Sequence, residues 1–167
     1  MEGRILFRLG FLAVVALQVA LLLAILVPEE RTLATGEEVL LQTAPVDPRE
    51  LFRGDYVILR YTISTIRGYP GFAVGDSIYV GLEKRGETWE VRFASHSRPS
   101  GLFIKGRVTD ALEGSLNIEY GIESYFVPEG SGHIIEGARD VKVKVAVDSS
   151  GNAAIKQVLV GGKPFKP

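Results

Sequence analysis

The feature that most constrains the fold is a long uncharged segment near the N-terminus. From Leu9 to Val27 there is no Asp, Glu, Lys or Arg, and Gln18 is the one strongly polar side chain. A helix of about 20 apolar residues crosses the roughly 30 Å hydrocarbon core of a bilayer. The segment therefore predicts one N-terminal transmembrane α-helix, which contacts the lipid bilayer through Leu9 to Val27.

The charges that flank this segment predict its orientation. Arg4 and Arg8 precede it, and an acidic stretch that begins at Glu29 follows it. Lys and Arg concentrate on the cytoplasmic side of membrane helices. We therefore expect a single-pass protein of the cytoplasmic (inner) membrane, with the N-terminus inside. Residues 1–28 would form the short cytoplasmic N-terminus and the anchor, and residues 29–167 an extracytoplasmic β domain.

A cleaved signal peptide is the alternative interpretation of the same segment. Signal peptides have an apolar core of about 7–15 residues followed by small residues at the cleavage site. The core here is longer, and the best small-x-small candidate, Thr32–Leu33–Ala34, follows an acidic stretch. The pattern favours a retained anchor over secretion.

Composition excludes several functional classes. The 167 residues include no cysteine, which rules out disulfides, thiol catalysis, thiolate metal sites and a lipid-modified cysteine. There are 19 Lys and Arg against 20 Asp and Glu, with a net charge of −1. Nucleic-acid binding needs clustered cations that displace counterions from phosphates, so we expect no nucleic-acid partner.

The segment after the anchor carries repeated strand and turn signals. A short apolar run, EVLLQTA, is followed by three stretches that predict β-hairpins. There is no strand–helix–strand alternation, so no Rossmann-type nucleotide site is expected. The pattern predicts an all-β fold, an antiparallel small barrel or sandwich built of hairpins. The predicted hairpin turns lie at Lys84–Glu87, near Asp110–Gly114 and at Asp148–Asn152.

One predicted strand, DYVILRYTIS, has two clearly different faces. Side chains alternate between the faces of a strand. One face carries only apolar or aromatic residues and is predicted to be the core face: Val57, Leu59, Tyr61 and Ile63. Tyr56 and Arg60 share the opposite face, near Asp55.

Two local features of the domain are also predicted. Gly54–Asp55 precedes this strand, and the same pair recurs at Gly75–Asp76 before the next one. Gly tolerates positive φ and Asp accepts hydrogen bonds from nearby backbone amides, which is typical of turns. One short helix is predicted around Glu129 to Arg139, although its glycines weaken it.

Three blocks in order resemble one family. Gly54-Asp55-Tyr56, then Leu59 and Tyr61, match the signature of the GDYXXLXY proteins, and the segments Pro99–Val108 and Gly121–Gly132 resemble that family's later blocks. The resemblance covers about Val39 to Lys163. It implies a membrane-anchored bacterial protein of unassigned function, associated with multi-pass membrane proteins. It supplies no catalytic residues.

A weaker resemblance concerns type I signal peptidases. RGDYVILRY resembles the strand-entry box of those enzymes, and LFIKGRV, with Lys105, loosely resembles the segment that carries their lysine base. A buried lysine loses its proton more easily and can activate a hydroxyl. In that family the serine lies between the anchor and the box, whereas Ser64 is the first serine of this chain. The resemblance therefore lacks its nucleophile.

The residues predict a binding surface more readily than a catalytic site. Tyr120, Tyr125 and Phe126 cluster in YGIESYFVPEG, and aromatic side chains beside polar groups are typical of interfaces; packing in the core is the alternative. His96 and His133 lack metal-ligand spacing, so no metal, cofactor or catalytic residue is predicted. The candidate partner or ligand surface comprises Asp55, Tyr56, Arg60, Glu123, Tyr125 and Glu129.

Together these patterns lead to one expectation and one alternative. We expect a membrane-anchored extracytoplasmic module that binds or scaffolds an integral membrane protein. The alternative is a degenerate or unusual envelope hydrolase related in fold to signal peptidases. Without a complete catalytic constellation, the sequence favours the non-enzymatic role.

Overall fold

The computed structural model describes residues 2–44, 56–112, 114–128 and 130–166. The chain divides into two compact units, Met1–Arg31 and Thr32–Pro167. The predictions made for Gly54, Asp55 and Glu129 lie outside the described residues. The two units are described separately below.

The N-terminal helix, α1, extends over Glu2–Thr35. Within it, Gly10–Thr35 is long and apolar enough to cross a membrane, with a mean hydropathy of 2.8. A signal sequence near an N-terminus can also meet this criterion of length and apolar composition. The predicted apolar segment is thus confirmed as a helix.

The second unit is a nearly closed, barrel-like antiparallel β structure. Sheet 1 has the strand order β12-β11-β10-β1-β3, sheet 2 has the order β4-β8-β7-β5-β6, and β2 and β9 form a two-stranded ribbon. This confirms the predicted all-β class. The strands are β1 Glu37–Ala44, β2 Tyr56–Ile58, β3 Arg60–Tyr61, β4 Thr65–Arg67, β5 Ser77–Arg85, β6 Thr88–Ser95, β7 Phe103–Leu112, β8 Ser115–Glu119, β9 Ser124–Phe126, β10 Val141–Val147, β11 Ala153–Val160 and β12 Lys163–Pro164.

The three predicted hairpins are present. β5 pairs with β6, β7 with β8 and β10 with β11, all antiparallel. The first hairpin turns on Gly86, whose φ of 63° suits the left-handed region that glycine tolerates. The short strands β9 and β12 were not predicted, because three or fewer residues carry no readable alternation.

The continuous strand predicted from DYVILRYTIS is wrong in one respect. The segment is broken into β2, β3 and a 3-10 turn at Thr62–Ser64, and β4 follows directly after it. The chain changes partners along the way: β2 pairs with β9, β3 with β1, and β4 with β8. These partner strands are distant in sequence. The alternation of residues within the segment therefore does not show where the strand is interrupted.

The predicted core face of the same segment is confirmed. Val57, Leu59, Tyr61 and Ile63 are 3%, 3%, 1% and 2% exposed. They join one hydrophobic core with side chains from both sheets, among them Val39, Ile104, Val143 and Val158. Burial of apolar area is the main favourable term in folding, so this face holds the domain together.

The predicted helix near residues 129–139 is shorter than expected. α2 spans Gly132–Glu136 and its C-cap is Gly137. Gly130 precedes it with a φ of 79°. Glycine costs about 1 kcal/mol in a helix interior relative to alanine, so helical propensity is low on both sides of this single turn.

The Gly75–Asp76 turn behaves as its sequence predicted. Gly75 has a φ of 95°. The carboxylate of Asp76 accepts a hydrogen bond of 2.9 Å from the backbone N–H of Ala73. The pair therefore closes the loop that leads into β5.

A carboxylate organises the turn between β10 and β11. Asp148 accepts hydrogen bonds from the backbone N–H groups of Ser150 and Asn152, at 2.7 and 3.0 Å. It also accepts one from the Thr32 hydroxyl, at 3.2 Å. Burial alone would raise the pKa of Asp148, but the hydrogen bonds from Asn152, Ser150 and Thr32 outweigh it and lower that pKa.

The lowered pKa predicts how stability depends on pH. An Asp that binds protons less readily when folded adds stability above its unfolded pKa of about 3.9, and this stability is lost as the pH falls further. Asp148→Asn should therefore have a lower melting temperature than the wild type at pH 7. The difference between the two melting temperatures should decrease below about pH 4. Thermal melting of both proteins from pH 7 to pH 3 checks this. A difference in melting temperature that increases as the pH falls would contradict this prediction.

Candidate partner-binding surface

The ribbon of β2 and β9 places two aromatic rings on its outer face. Tyr56 lies opposite Phe126, and Ile58 lies opposite Ser124. The ring centroids of Tyr56 and Phe126 are 6.1 Å apart, within the range of favourable aromatic pairs. Phe126 is 76% exposed. Within this aromatic pair, Tyr56 is half-buried and Phe126 is left exposed by the domain.

The other face of the ribbon belongs to the core. Val57 is buried, and Tyr125 opposite it is half-buried against the core. The Tyr125 ring also contacts Phe165 edge-on, with centroids 6.5 Å apart. Tyr125, predicted to join the candidate surface, therefore points away from the aromatic pair. Its neighbour Phe126 takes the outward position.

Arg60 lies just beyond the ribbon and is exposed. It lines an open groove of about 410 Å³ together with Asp110, Asn117, Glu119 and Glu123. Among the described residues, no carboxylate forms an ion pair with Arg60. The groove thus offers a guanidinium and carboxylates to solvent, next to the outer face of the ribbon.

Glu123 is part of the same groove, but its carboxylate has a structural task. Its two oxygens accept hydrogen bonds from the backbone N–H groups of Tyr120 and Gly121, at 2.7 and 2.9 Å. Its own carbonyl accepts a 2.6 Å hydrogen bond from the N–H of Leu59. Glu123 therefore fixes the turn after β8 and attaches it to the strand segment at Leu59.

Two buried tyrosines complete this attachment. The Tyr61 hydroxyl donates to the carbonyl of Ile122, and the Tyr120 hydroxyl donates to the carbonyl of Ile63, both at 2.6 Å. Burial first, and the Glu123 charge second, raise the pKa of both phenols far above the ordinary value. Both hydroxyls stay protonated at neutral pH and act as hydrogen-bond donors within the fold.

Removing the Glu123 carboxylate should destabilise the domain. Hydrogen bonds to a charged group are worth about 1.5–3 kcal/mol, and less where solvent reaches them, so Glu123→Ala should cost about 1–3 kcal/mol. Glu119→Ala is the matched control, because Glu119 is exposed and lines the same groove. That control should stay within about 0.5 kcal/mol of wild type. Urea unfolding of both variants measures the difference; equal losses would assign Glu123 no structural role.

The remaining chemical candidates lie apart from any reactive partner. Lys105 is exposed on β7, and among the described residues no hydroxyl accepts a hydrogen bond from its ammonium group. His96 stacks on Phe72 with ring centroids 3.8 Å apart. His133 contacts the Gly130 carbonyl through Nδ1 at 2.7 Å. Within the described ranges, no three His, Asp or Glu side chains are grouped so as to hold a metal ion.

Comparison with known proteins gives one result. The family model described as GDYXXLXY protein matches residues 18–158, which is most of the chain. The chain belongs to the GDYXXLXY family. Comparison with curated proteins and with solved structures finds no match for it.

The structure explains part of the signature that gives the GDYXXLXY family its name. Leu59 and Tyr61 are core residues, whereas Tyr56 faces outward beside Phe126. The block Gly121–Gly132 supplies β9 and the carbonyls of Ile122 and Glu123, which contact the signature segment directly. Two blocks that are far apart in this chain are thus one structural unit.

Proposed function

We propose that this GDYXXLXY protein is anchored in the cytoplasmic membrane by its N-terminal helix and binds an integral membrane protein through its extracytoplasmic β domain. The length and apolar composition of Gly10–Thr35 support the anchor. Arg4 and Arg8 before the apolar segment support an N-terminus on the cytoplasmic side. A partner in the same membrane would meet the domain at high effective concentration.

The aromatic pair, with Phe126 exposed, is the observation that carries the binding proposal. Tyr, Phe and Arg are enriched in protein interfaces, and aromatic or Arg residues dominate their binding energy. Phe126 is 76% exposed beside Tyr56, and Arg60 follows on the same segment. A partner that covers this ribbon would bury two rings and meet a cation at their side.

Loss of partner binding tests the proposal. Full-length tagged protein is purified from native membranes in mild detergent, and the membrane proteins that accompany it are compared between variants. Phe126→Asp should abolish co-purification, because the charge would have to be buried in the interface. Leu112→Asp is the matched control, since Leu112 is also exposed, at 65%, on the β7–β8 hairpin. Equal recovery of the partner with both variants would exclude the β2–β9 ribbon as the binding surface.

The orientation is tested separately. A C-terminal reporter that is active only outside the cytoplasm should be active, and the mature protein should keep its full length. An inactive reporter would reverse the topology. A product shortened by about 30 residues, the upper length of a signal peptide, would replace anchoring with secretion.

The alternative, an envelope hydrolase related to signal peptidases, receives no support from Lys105. A lysine acts as a general base when burial lowers its pKa, and its target hydroxyl must lie within hydrogen-bond reach. Lys105 is exposed. Hydrolysis of a peptide substrate by the purified protein, lost in Lys105→Ala, would restore that alternative.

A further inference from the structure

The two ends of sheet 2 border one open cavity. β4 and β6 are the outermost strands of that sheet, and among the described residues no strand pairs with their outer edges. Both strands line a single groove of about 480 Å³, which we call the edge slot.

The backbone of β4 offers hydrogen-bonding groups to the edge slot. Ile66 lies opposite Leu116 on β8, and the N–H of Gly68 donates to the carbonyl of Gly114 in the same register. Bonded and non-bonded pairs alternate along an antiparallel ladder. Ile66 is therefore bonded to β8, and the N–H and C=O groups of Arg67 and the C=O group of Thr65 point to the open side. The N–H of Thr65 donates to the Thr62 carbonyl within the 3-10 turn.

The backbone of β6 also has hydrogen-bonding groups on its outer edge, at the opposite end of sheet 2. Arg85 and Thr88 close the two-residue turn of the β5–β6 hairpin and form its first bonded pair. Alternation makes Glu90 the next bonded residue on β6. The N–H and C=O groups of Trp89 and Val91 therefore point away from β5, on the side where Val91 and Gln42 of β1 line the edge slot.

The relative directions of β4 and β6 are compatible with one additional antiparallel strand. Neighbouring strands in the order β4-β8-β7-β5-β6 are all antiparallel. Four successive reversals leave β4 and β6 parallel to each other. A single strand placed between them can therefore be antiparallel to both, the arrangement with the more stable ladder.

The side chains of the edge slot separate into an apolar floor and a polar rim. Ile63, Ile66 and Val91 pack against the core, whereas Arg67 and Glu90 are exposed. A strand lying here would place alternate side chains on the floor and in solvent. The rim carries both signs of charge, which suits a segment that is itself near neutral.

We propose that the edge slot binds an extended segment of a partner protein as an added β-strand, antiparallel to β4 and β6, with alternating apolar and polar residues. Main-chain hydrogen bonds give such strand addition its affinity, and pockets for alternate side chains give specificity. This proposal does not depend on the membrane location or on the aromatic pair, and its tests use no membrane partner.

Hydrogen exchange of the full-length protein in detergent tests whether the edges are open. Amides without a hydrogen-bond partner exchange much faster than bonded ones. The N–H group of Arg67 should exchange rapidly, and that of Ile66 slowly. Protection of the Arg67 amide in the dilute protein would mean that the chain itself, for example residues 45–55, already pairs there, and would overturn the proposal. Protection that appears only at high protein concentration would assign the edge slot to a second copy, with the same consequence.

A defined peptide tests binding. The probe is a seven-residue fluorescent peptide of alternating valine and threonine with one lysine and one glutamate at its ends. It should bind saturably and slow the exchange of the Arg67 amide. The same peptide with two N-methylated central residues lacks two donors and should bind about tenfold or more weakly. Equal binding of both peptides, or no saturable binding, would overturn strand addition.

One pair of variants separates the backbone from the side chain at the edge. Arg67→Pro removes an N–H that points outward, and proline is tolerated on edge strands. Arg67→Ala removes the guanidinium and keeps that N–H. Peptide binding should weaken about tenfold in Arg67→Pro and change little in Arg67→Ala. Equal effects would show that the side chain, and not the strand edge, holds the peptide; the N-methylated peptide decides the matter if Arg67→Pro fails to fold.

Discussion

Leu59→Ala is expected to remove about 2–5 kcal/mol from the free energy of unfolding, because truncating a fully buried leucine leaves a cavity. Leu59 is 3% exposed and packs in the core that joins the two sheets. Most single domains are stable by only about 5–15 kcal/mol, so a loss of this size lowers the melting temperature markedly. Urea unfolding of the full-length protein in detergent provides the measurement.

The neighbouring positions supply the control for this prediction. Arg60 lies next to Leu59 on the opposite face and is exposed. Arg60→Ala should change the unfolding free energy by no more than about 0.5 kcal/mol. If Arg60→Ala unfolds the domain while Leu59→Ala leaves it intact, the assignment of the two faces is wrong.

The second large effect concerns Tyr61. Tyr61→Ala removes a fully buried ring, 1% exposed, and should cost about 3–5 kcal/mol. Tyr61→Phe keeps the ring and removes the hydroxyl that donates to Ile122. That change leaves a buried carbonyl without its donor and should cost about 1–3 kcal/mol.

The control for Tyr61→Phe is a tyrosine in a different environment. Tyr79 is half-buried on β5, and its ring contacts Phe103 edge-on. Among the described residues its hydroxyl has no hydrogen-bond partner, so Tyr79→Phe should lie within about 0.5 kcal/mol of wild type. Identical losses for the two variants would deny the Tyr61–Ile122 hydrogen bond any stabilising effect.

Local pattern was enough to predict the elements whose information is local. Alternation identified the core face at Leu59 and Tyr61, and turn residues identified the hairpins at Gly86 and Asp148. Both signals depend on residues within a few positions of each other. The partner exchange near Leu59 depends on β9, β1 and β8, which are distant in sequence. A single sequence contains no record of those pairings.

The same limit applies to the candidate surface. Tyr125 and Phe126 are adjacent aromatic residues, and sequence alone did not show which of them faces outward. The pairing of β2 with β9 sets this, since Tyr56 lies opposite Phe126 and Val57 opposite Tyr125. Glu123 was predicted to belong to the candidate surface, but its oxygens accept hydrogen bonds from the N–H groups of Tyr120 and Gly121. Backbone hydrogen bonding of that kind follows from the folded turn.

Photo-crosslinking in native membranes tests most directly whether the outward face of the β2–β9 ribbon contacts a membrane-protein partner. A photoreactive amino acid replaces Phe126 in the full-length protein, and the same residue replaces Leu112 as the exposed control on the β7–β8 hairpin. We expect a discrete crosslinked product containing an integral membrane protein from position 126 and none from position 112. The same product from both positions, or none from position 126, would contradict it.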